Sequence, residues 1–146
     1  MKINNDIQLK GIFKINIFKN GKLIEEYVDK NTVVNSGREA ITKLLGHDGE
    51  FKHILSIGVG TSNIVPSVSD TSLTDSFIKP LSTTSYPDST SIKFTFDIGT
   101  SEANPKSIRE FGLICEDGTL FARKTRTVIE KDVDISISGE WTITLS

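Results

Sequence analysis

The side chains that could most readily take part in catalysis lie in residues 107–126, SIREFGLICEDGTLFARKTR. This stretch holds a carboxylate at Glu110, a thiol at Cys115 and a guanidinium at Arg123. A carboxylic acid can act as a general acid, and a thiol becomes a nucleophile beside a base. Hydrolysis by carboxylates needs a second acidic group, and the sequence offers neither that group nor a base at a credible spacing. We therefore predict no catalytic residues and no enzyme.

The same stretch has the pattern of a β-hairpin. Two apolar runs flank Asp117-Gly118, which predicts a two-residue turn. The resulting register sets Gly112 opposite Arg123, leaving room for the long side chain to cross the sheet toward Glu110. We predict a structural Glu110–Arg123 ion pair. The predicted core face of the hairpin consists of Phe111, Leu113, Cys115, Leu120 and Ala122, with Ile114 and Phe121 on the other face.

Two further patterns could bind an ion or a phosphate. His47, Asp48, Glu50 and His53 are metal-ligand types, but they follow a helix end into a loop and match no metal motif. The segment GVGTS lacks the Lys-Ser/Thr ending and the helix of a phosphate-binding loop. We predict no metal site and no cofactor.

Two aromatic side chains could stack on a sugar ring. Trp141 alternates with Ile143 and Leu145 in a terminal strand, which predicts a core position. Tyr86 precedes Pro87 in a polar segment and is the candidate for an exposed contact.

The elements that position these residues are mostly strands. The segment before Asn20-Gly21 alternates, and these two residues suit a type I′ turn, so residues 1–30 are expected to form an N-terminal hairpin packed on the domain or extending from it. Residues 91–98 alternate strictly, and residues 133–145 continue past Gly139, where we expect a bulge.

One helix is predicted over residues 37–45, where apolar residues recur at helical spacing. Ser36 and Glu39 match a capping box, and Gly46 suits a left-handed residue at the helix end.

Residues 62–91 form a long polar segment rich in Ser, Thr, Asp and Pro. Its prolines exclude a central strand. We expect an edge strand or a clasp against the core, anchored by Leu73, Phe77, Ile78 and Leu81, in an arm that neighbouring subunits order.

The whole chain of 146 residues fits one domain, 1–146. Short strands with turn signals and one helix predict a mainly β, antiparallel β-sandwich, jelly-roll-like, with a small open barrel as the alternative.

The composition of the chain limits the classes of partner that it is expected to bind. The formal net charge of -2 argues against nucleic acid, and no apolar run is long enough to span a membrane. The single cysteine excludes an internal disulfide, and the N-terminus has no apolar signal segment. These features favour a chain folded in a reducing cytoplasm.

The order of segments carries a family resemblance. NTVVNSGREAITKLL is followed by ILSIGVGTSNIVPSVSDTSLTD, then SIREFGLICEDGTLFARK, then ISGEWTITL. Together these segments, over residues 31–145, resemble virion structural proteins of tailed bacteriophages, such as tail-fibre, baseplate and neck-associated proteins.

The resemblance implies a non-enzymatic module of the virion, assembled in the host cytoplasm, whose partners are copies of itself and other virion proteins. The chain lacks a repetitive shaft, which favours an adaptor, collar or fibre-anchoring piece. The alternative is a carbohydrate- or receptor-binding module of the tail tip, with a host surface glycan as ligand.

Overall fold

The computed structural model describes residues 7–146. Residues 1–6 belong to the predicted N-terminal hairpin and to the stretch expected to contain no signal segment, and they lie outside the described residues. The described part contains ten strands and one helix. In chain order the elements are β1 (Leu9–Lys19), β2 (Lys22–Lys30), β3 (Thr32–Val33), α1 (Asn35–Leu45), β4 (Ile54–Gly60), β5 (Phe77–Pro80), β6 (Thr83–Asp88), β7 (Ser91–Ile98), β8 (Lys106–Cys115), β9 (Leu120–Lys131) and β10 (Ile135–Leu145).

The strands form two antiparallel sheets of five strands each. Sheet A has the order β2-β1-β10-β7-β6, and sheet B has the order β3-β9-β8-β4-β5. The strands of residues 7–146 are divided between two separate sheets, neither of which closes on itself, so the predicted β-sandwich is confirmed and the alternative of a small open barrel is wrong.

The core between the sheets is centred on aromatic residues. The ring centroid of Phe13 in β1 lies 4.9 Å from that of Trp141, 4.8 Å from that of Phe111 and 6.2 Å from that of Phe96. All four are buried, which confirms the predicted core position of Trp141. Strand alternation turns these side chains to the inner faces of the two sheets, where their burial stabilises the fold.

The β1–β2 hairpin has the predicted turn. Asn20 and Gly21 have φ of 50° and 77°, the left-handed geometry that a type I′ turn requires. Lys19 pairs with Lys22 across it.

The β8–β9 turn differs from its prediction. The amide of Gly118 donates to the carbonyl of Cys115 (2.9 Å), and the amide of Cys115 donates to the carbonyl of Thr119 (2.8 Å). Gly118 alone has positive φ, at 91°, so the loop has three residues, Glu116–Gly118, with a bulge at the glycine. The predicted two-residue length is therefore wrong.

That extra residue changes which side chains reach the core. The register shifts after Leu113 and Ala122, and Ile114 then pairs with Leu120. Phe121 consequently lies in the main core, whereas Leu120 packs with Ile114 on the other face, the reverse of the prediction.

Helix α1 begins two residues earlier than predicted and has different caps. Ser36 makes no capping box: its hydroxyl donates to the carbonyl of Leu120 (2.6 Å). Gly46 has φ of −88°, and the left-handed residue is His47, at 60°. Tertiary partners replace the local cap because the helix start packs directly on β9.

The polar segment 62–91 is part loop and part edge strand, as the prolines indicate. Strands β5 and β6 are the outer strands of sheets B and A, and Pro80 and Pro87 lie in them.

Gly139 marks a close contact and no bulge. β10 pairs without a register shift through Gly139 with both Ile15 and Phe96. A Cβ at this position would overlap the Phe96 ring, so the glycine leaves the space that the ring fills.

Substituting Gly139→Ala should lower the free energy of unfolding by about 1–3 kcal/mol because the added methyl overpacks the core. Urea denaturation measures this, and Gly139→Ala combined with Phe96→Leu should recover part of the loss. Gly99→Ala, where a Cβ would meet only the end of Glu102 at 3.4 Å, is the control and should be near neutral. An equal loss in both alanine variants would contradict the contact argument.

Candidate functional site

The loop of residues 61–76, here called the arm, lies on the outer face of sheet B. The amide of Thr61 donates to the carbonyl of Thr74 (3.0 Å), which closes the base of the arm. Strand alternation turns Glu110, Gly112 and Ile114 of β8 toward it, because Phe111 and Leu113 point into the core.

Glu110 holds both ends of the arm. One carboxylate oxygen, Oε2, accepts hydrogen bonds from the amides of Ser62 and Thr74, each at 2.9 Å. A Cβ at Gly60 would come within 2.6 Å of the same oxygen, so the glycine at this strand end makes room for the carboxylate.

Arg123 completes the network from the neighbouring strand. Its Nε donates to Glu110 Oε1 at 2.9 Å, and its Nη1 donates to Asp70 Oδ2 at 2.9 Å. Glu110 is fully buried and Arg123 nearly so. The structure thus brings the two predicted ion-pair residues together and adds a third residue from the middle of the arm.

Leu73 supplies the apolar part of the same attachment. It packs with Val34, Ile114 and Leu120 in a small cluster separate from the main core. A Cβ at Gly58 would lie 2.7 Å from Leu73 Cδ1, so this second glycine forms the bottom of the leucine pocket.

The arm also replaces the missing helix cap. The carbonyl of Val68 accepts a hydrogen bond from the amide of Asn35 (2.7 Å), one of the free amides at the start of α1. Contacts within this chain therefore hold residues 61–76 on sheet B, as expected for a clasp against the core.

The geometry of these groups limits their chemistry. Both oxygens of Glu110 are occupied by donors and the side chain has no exposed surface, so it cannot reach a substrate in this conformation. Burial raises the pKa of the Cys115 thiol to about 11, which disfavours the nucleophilic thiolate.

The histidines make no metal cluster with their neighbours. His53 Nε2 lies 3.4 Å from Glu116 Oε2. Across residues 7–146, no three His, Cys, Asp or Glu side chains are grouped closely enough to hold a metal ion.

A second feature is an apolar groove at one open end of the sandwich, with a volume of about 370 Å³. Tyr86 stands at this groove and is 73% exposed. The apolar lining includes Leu9, Ile41, Leu44, Ile54 and Ile92. The candidate exposed contact is thus beside a concave surface, which the sequence did not predict.

An ion pair braces the hairpin turn against the chain before β4. Lys52 Nζ lies 2.7 Å from Asp117 Oδ2. This contact lowers the pKa of Asp117 to about 2 and raises that of Lys52. Between β2 and β9, a hydrogen bond from Lys124 lowers the pKa of Asp29 to about 2.

Sequence reasoning missed Asp70 and the glycine pocket for Leu73. Both depend on contacts between residues from different elements: 53 positions separate Asp70 from Arg123, and Leu73 lies 15 positions after Gly58. The available signal was the Asp-Thr-Ser-Leu segment itself, in which an acid and an apolar residue are three positions apart.

No helix of the described residues is long and apolar enough to cross a membrane. Comparisons of the chain with protein families, with curated proteins and with solved structures give no match. The fold and these contacts define an antiparallel β-sandwich that holds a surface arm by a buried ion network.

Substituting Arg123→Met should destabilise the fold by about 3–5 kcal/mol, because Glu110 would remain buried without its cation. Chemical denaturation measures the loss, and limited proteolysis should show cleavage within residues 62–76. Adding Glu110→Gln should recover part of the stability. Arg38→Met, at an exposed position on α1, is the control; equal effects at both arginines would contradict the network.

Stability should fall as the pH drops from about 4 to about 2. The depressed pKa values of Asp29 and Asp117 keep both carboxylates charged in the folded state while the unfolded chain, near the ordinary value of 3.8, takes up protons. Urea midpoints across this window measure the slope. Lys52→Met should flatten it, and Lys22→Met, at an exposed lysine outside these pairs, should not; identical slopes in all three proteins would refute the assignment.

Proposed function

We propose that the chain is a structural component of a tailed-phage virion, in the tail, baseplate or neck, that works by protein–protein contacts as an oligomeric assembly or fibre-anchoring module. One observation carries the proposal. Two of the segments whose order resembles phage virion proteins meet at the arm: residues 54–75 supply Gly58, Gly60, Asp70 and Leu73, and residues 107–124 supply Glu110 and Arg123.

The arm suits a role in protein–protein contacts because its conformation is fixed before a partner binds. Ile64 and Val65 project from it, 71% and 80% exposed, immediately before Pro66. Adjacent apolar side chains on a surface loop commonly serve protein contacts. Since the buried network fixes the loop at Ser62, Asp70 and Thr74, little ordering entropy remains to be lost on binding.

The role can be tested in the phage that encodes the chain. Mass spectrometry of purified particles should detect the protein. A phage carrying Ile64→Asp with Val65→Asp should plate poorly and lack the protein in its particles, while the purified variant keeps the wild-type unfolding midpoint. Val133→Asp, a similarly exposed apolar position, is the control. Absence of the wild-type protein from particles would end the proposal.

A second candidate function is a receptor-binding module that takes a surface glycan. The exposed ring of Tyr86 beside the apolar groove favours it, since aromatic faces next to a concave surface suit sugar rings. A glycan array with the wild type should give a hit that Tyr86→Ala loses. No hit, or a hit that survives this substitution, would reject the groove as the site.

A further inference from the structure

Strand β2 is an outer strand of sheet A, and one side of its backbone pairs with no other strand of residues 7–146. It is nine residues long, and every residue except Tyr27 is exposed. A long exposed edge of this kind is a template for pairing with another strand. The other edge strands are shorter: β5 and β6 each contain a proline, and β3 has only two residues.

The register fixes which backbone groups are free. The amide of Asn31 donates to the carbonyl of Gly11, so the Asn31–Gly11 pair is hydrogen-bonded. Bonded and non-bonded pairs alternate in an antiparallel ladder. The amides and carbonyls of Glu26, Val28 and Lys30 therefore point away from β1.

The same three residues turn their side chains to the outer face of sheet A. They pair with Asn16, Lys14 and Ile12 of β1, which alternate with the buried residues of that strand. Val28 is 59% exposed and Ile12 43%, so an apolar patch lies along the edge.

The charges on this edge are complementary to themselves. An antiparallel copy of β2, centred with Val28 opposite Val28, would set Glu26 opposite Lys30 of the second copy, and Lys30 opposite its Glu26. Neither residue has an ion-pair partner among residues 7–146. Opposite charges directly across a ladder stabilise pairing, whereas like charges oppose it.

We propose that two copies of the chain associate through antiparallel pairing of residues 26–30, around a two-fold axis at Val28. The two A sheets then form one continuous sheet of ten strands. The bulge between Ile17 and Phe18 ends the straight part of the edge before Glu26. The proposal does not depend on the virion role, because it is derived from the edge alone.

The contacts that β2 makes with sheet B are unchanged in this dimer. Asp29 and Glu25 are bonded to Lys124 and Arg126 of sheet B, and these contacts close the sandwich behind the edge. One bond must change: the amide of Lys30 now donates to Asp29 Oδ1 (2.8 Å), and on pairing it donates to the carbonyl of Glu26 in the second copy.

Two opposite charge changes test the register. Glu26→Lys and Lys30→Glu each place like charges across the axis twice and should weaken the dimer by about tenfold or more. Mixing the two variants restores both opposite-charge pairs, so the mixture should form a heterodimer. Sedimentation velocity over a concentration series measures these states, with Lys22→Glu, on the same strand outside the paired segment, as the control.

Residue-resolved hydrogen exchange locates the interface. The amides of Glu26, Val28 and Lys30 should become protected as the protein concentration rises. A wild type that stays monomeric at the highest attainable concentration would overturn the proposal. So would a dimer in which these amides exchange freely, or one in which the mixed variants remain monomeric.

Discussion

The buried contact between Glu110 and Arg123 is the interaction on which the rest of the outer surface of sheet B depends. Removing two charges from water is costly, and the cost is offset only when every donor and acceptor finds a partner. Here the carboxylate has three donors, and the guanidinium has two carboxylates. The arm supplies three of those partners, so the ion pair and the arm each require the other to be in place.

This dependence explains why small residues surround the pair. Gly60 leaves room for the carboxylate, and Gly58 and Gly112 leave room for Leu73. The arm in turn caps helix α1 through Val68, and Ser36 of the helix bonds to β9. Helix, arm and two central strands of sheet B thus share one set of contacts, and a change in any of them is transmitted to the others.

Sequence reasoning succeeded where structure is determined locally. Alternation correctly predicts the buried position of Trp141, and Asn20-Gly21 selects its turn because both residues tolerate positive φ. It failed where long-range contacts compete with local preference. Ser36 has a matching Glu39 nearby, yet it bonds to Leu120, 84 residues away.

The same limit applies to the candidate site. The spacing in one hairpin suffices to predict the Glu110–Arg123 pair, since Gly112 opposite Arg123 opens a path between them. Asp70 and the groove beside Tyr86 require knowledge of which segments the fold brings together. The predicted length of the β8–β9 turn was wrong for a smaller reason. Asp-Gly is compatible with loops of two or three residues, and the pair alone does not determine the loop length.

The position of β10 has a consequence for how the chain folds during synthesis. Of the ten described strands β10 is synthesised last, yet it lies in the middle of sheet A, between β1 and β7. All five strands of sheet B are made before it. Until β10 is made, the β1–β2 hairpin and the β6–β7 pair have no strand to join them into one sheet. Completing sheet A then requires pairing the first described strand with the last, Leu9 with Leu145, and β pairing between residues so far apart in the chain is intrinsically slow.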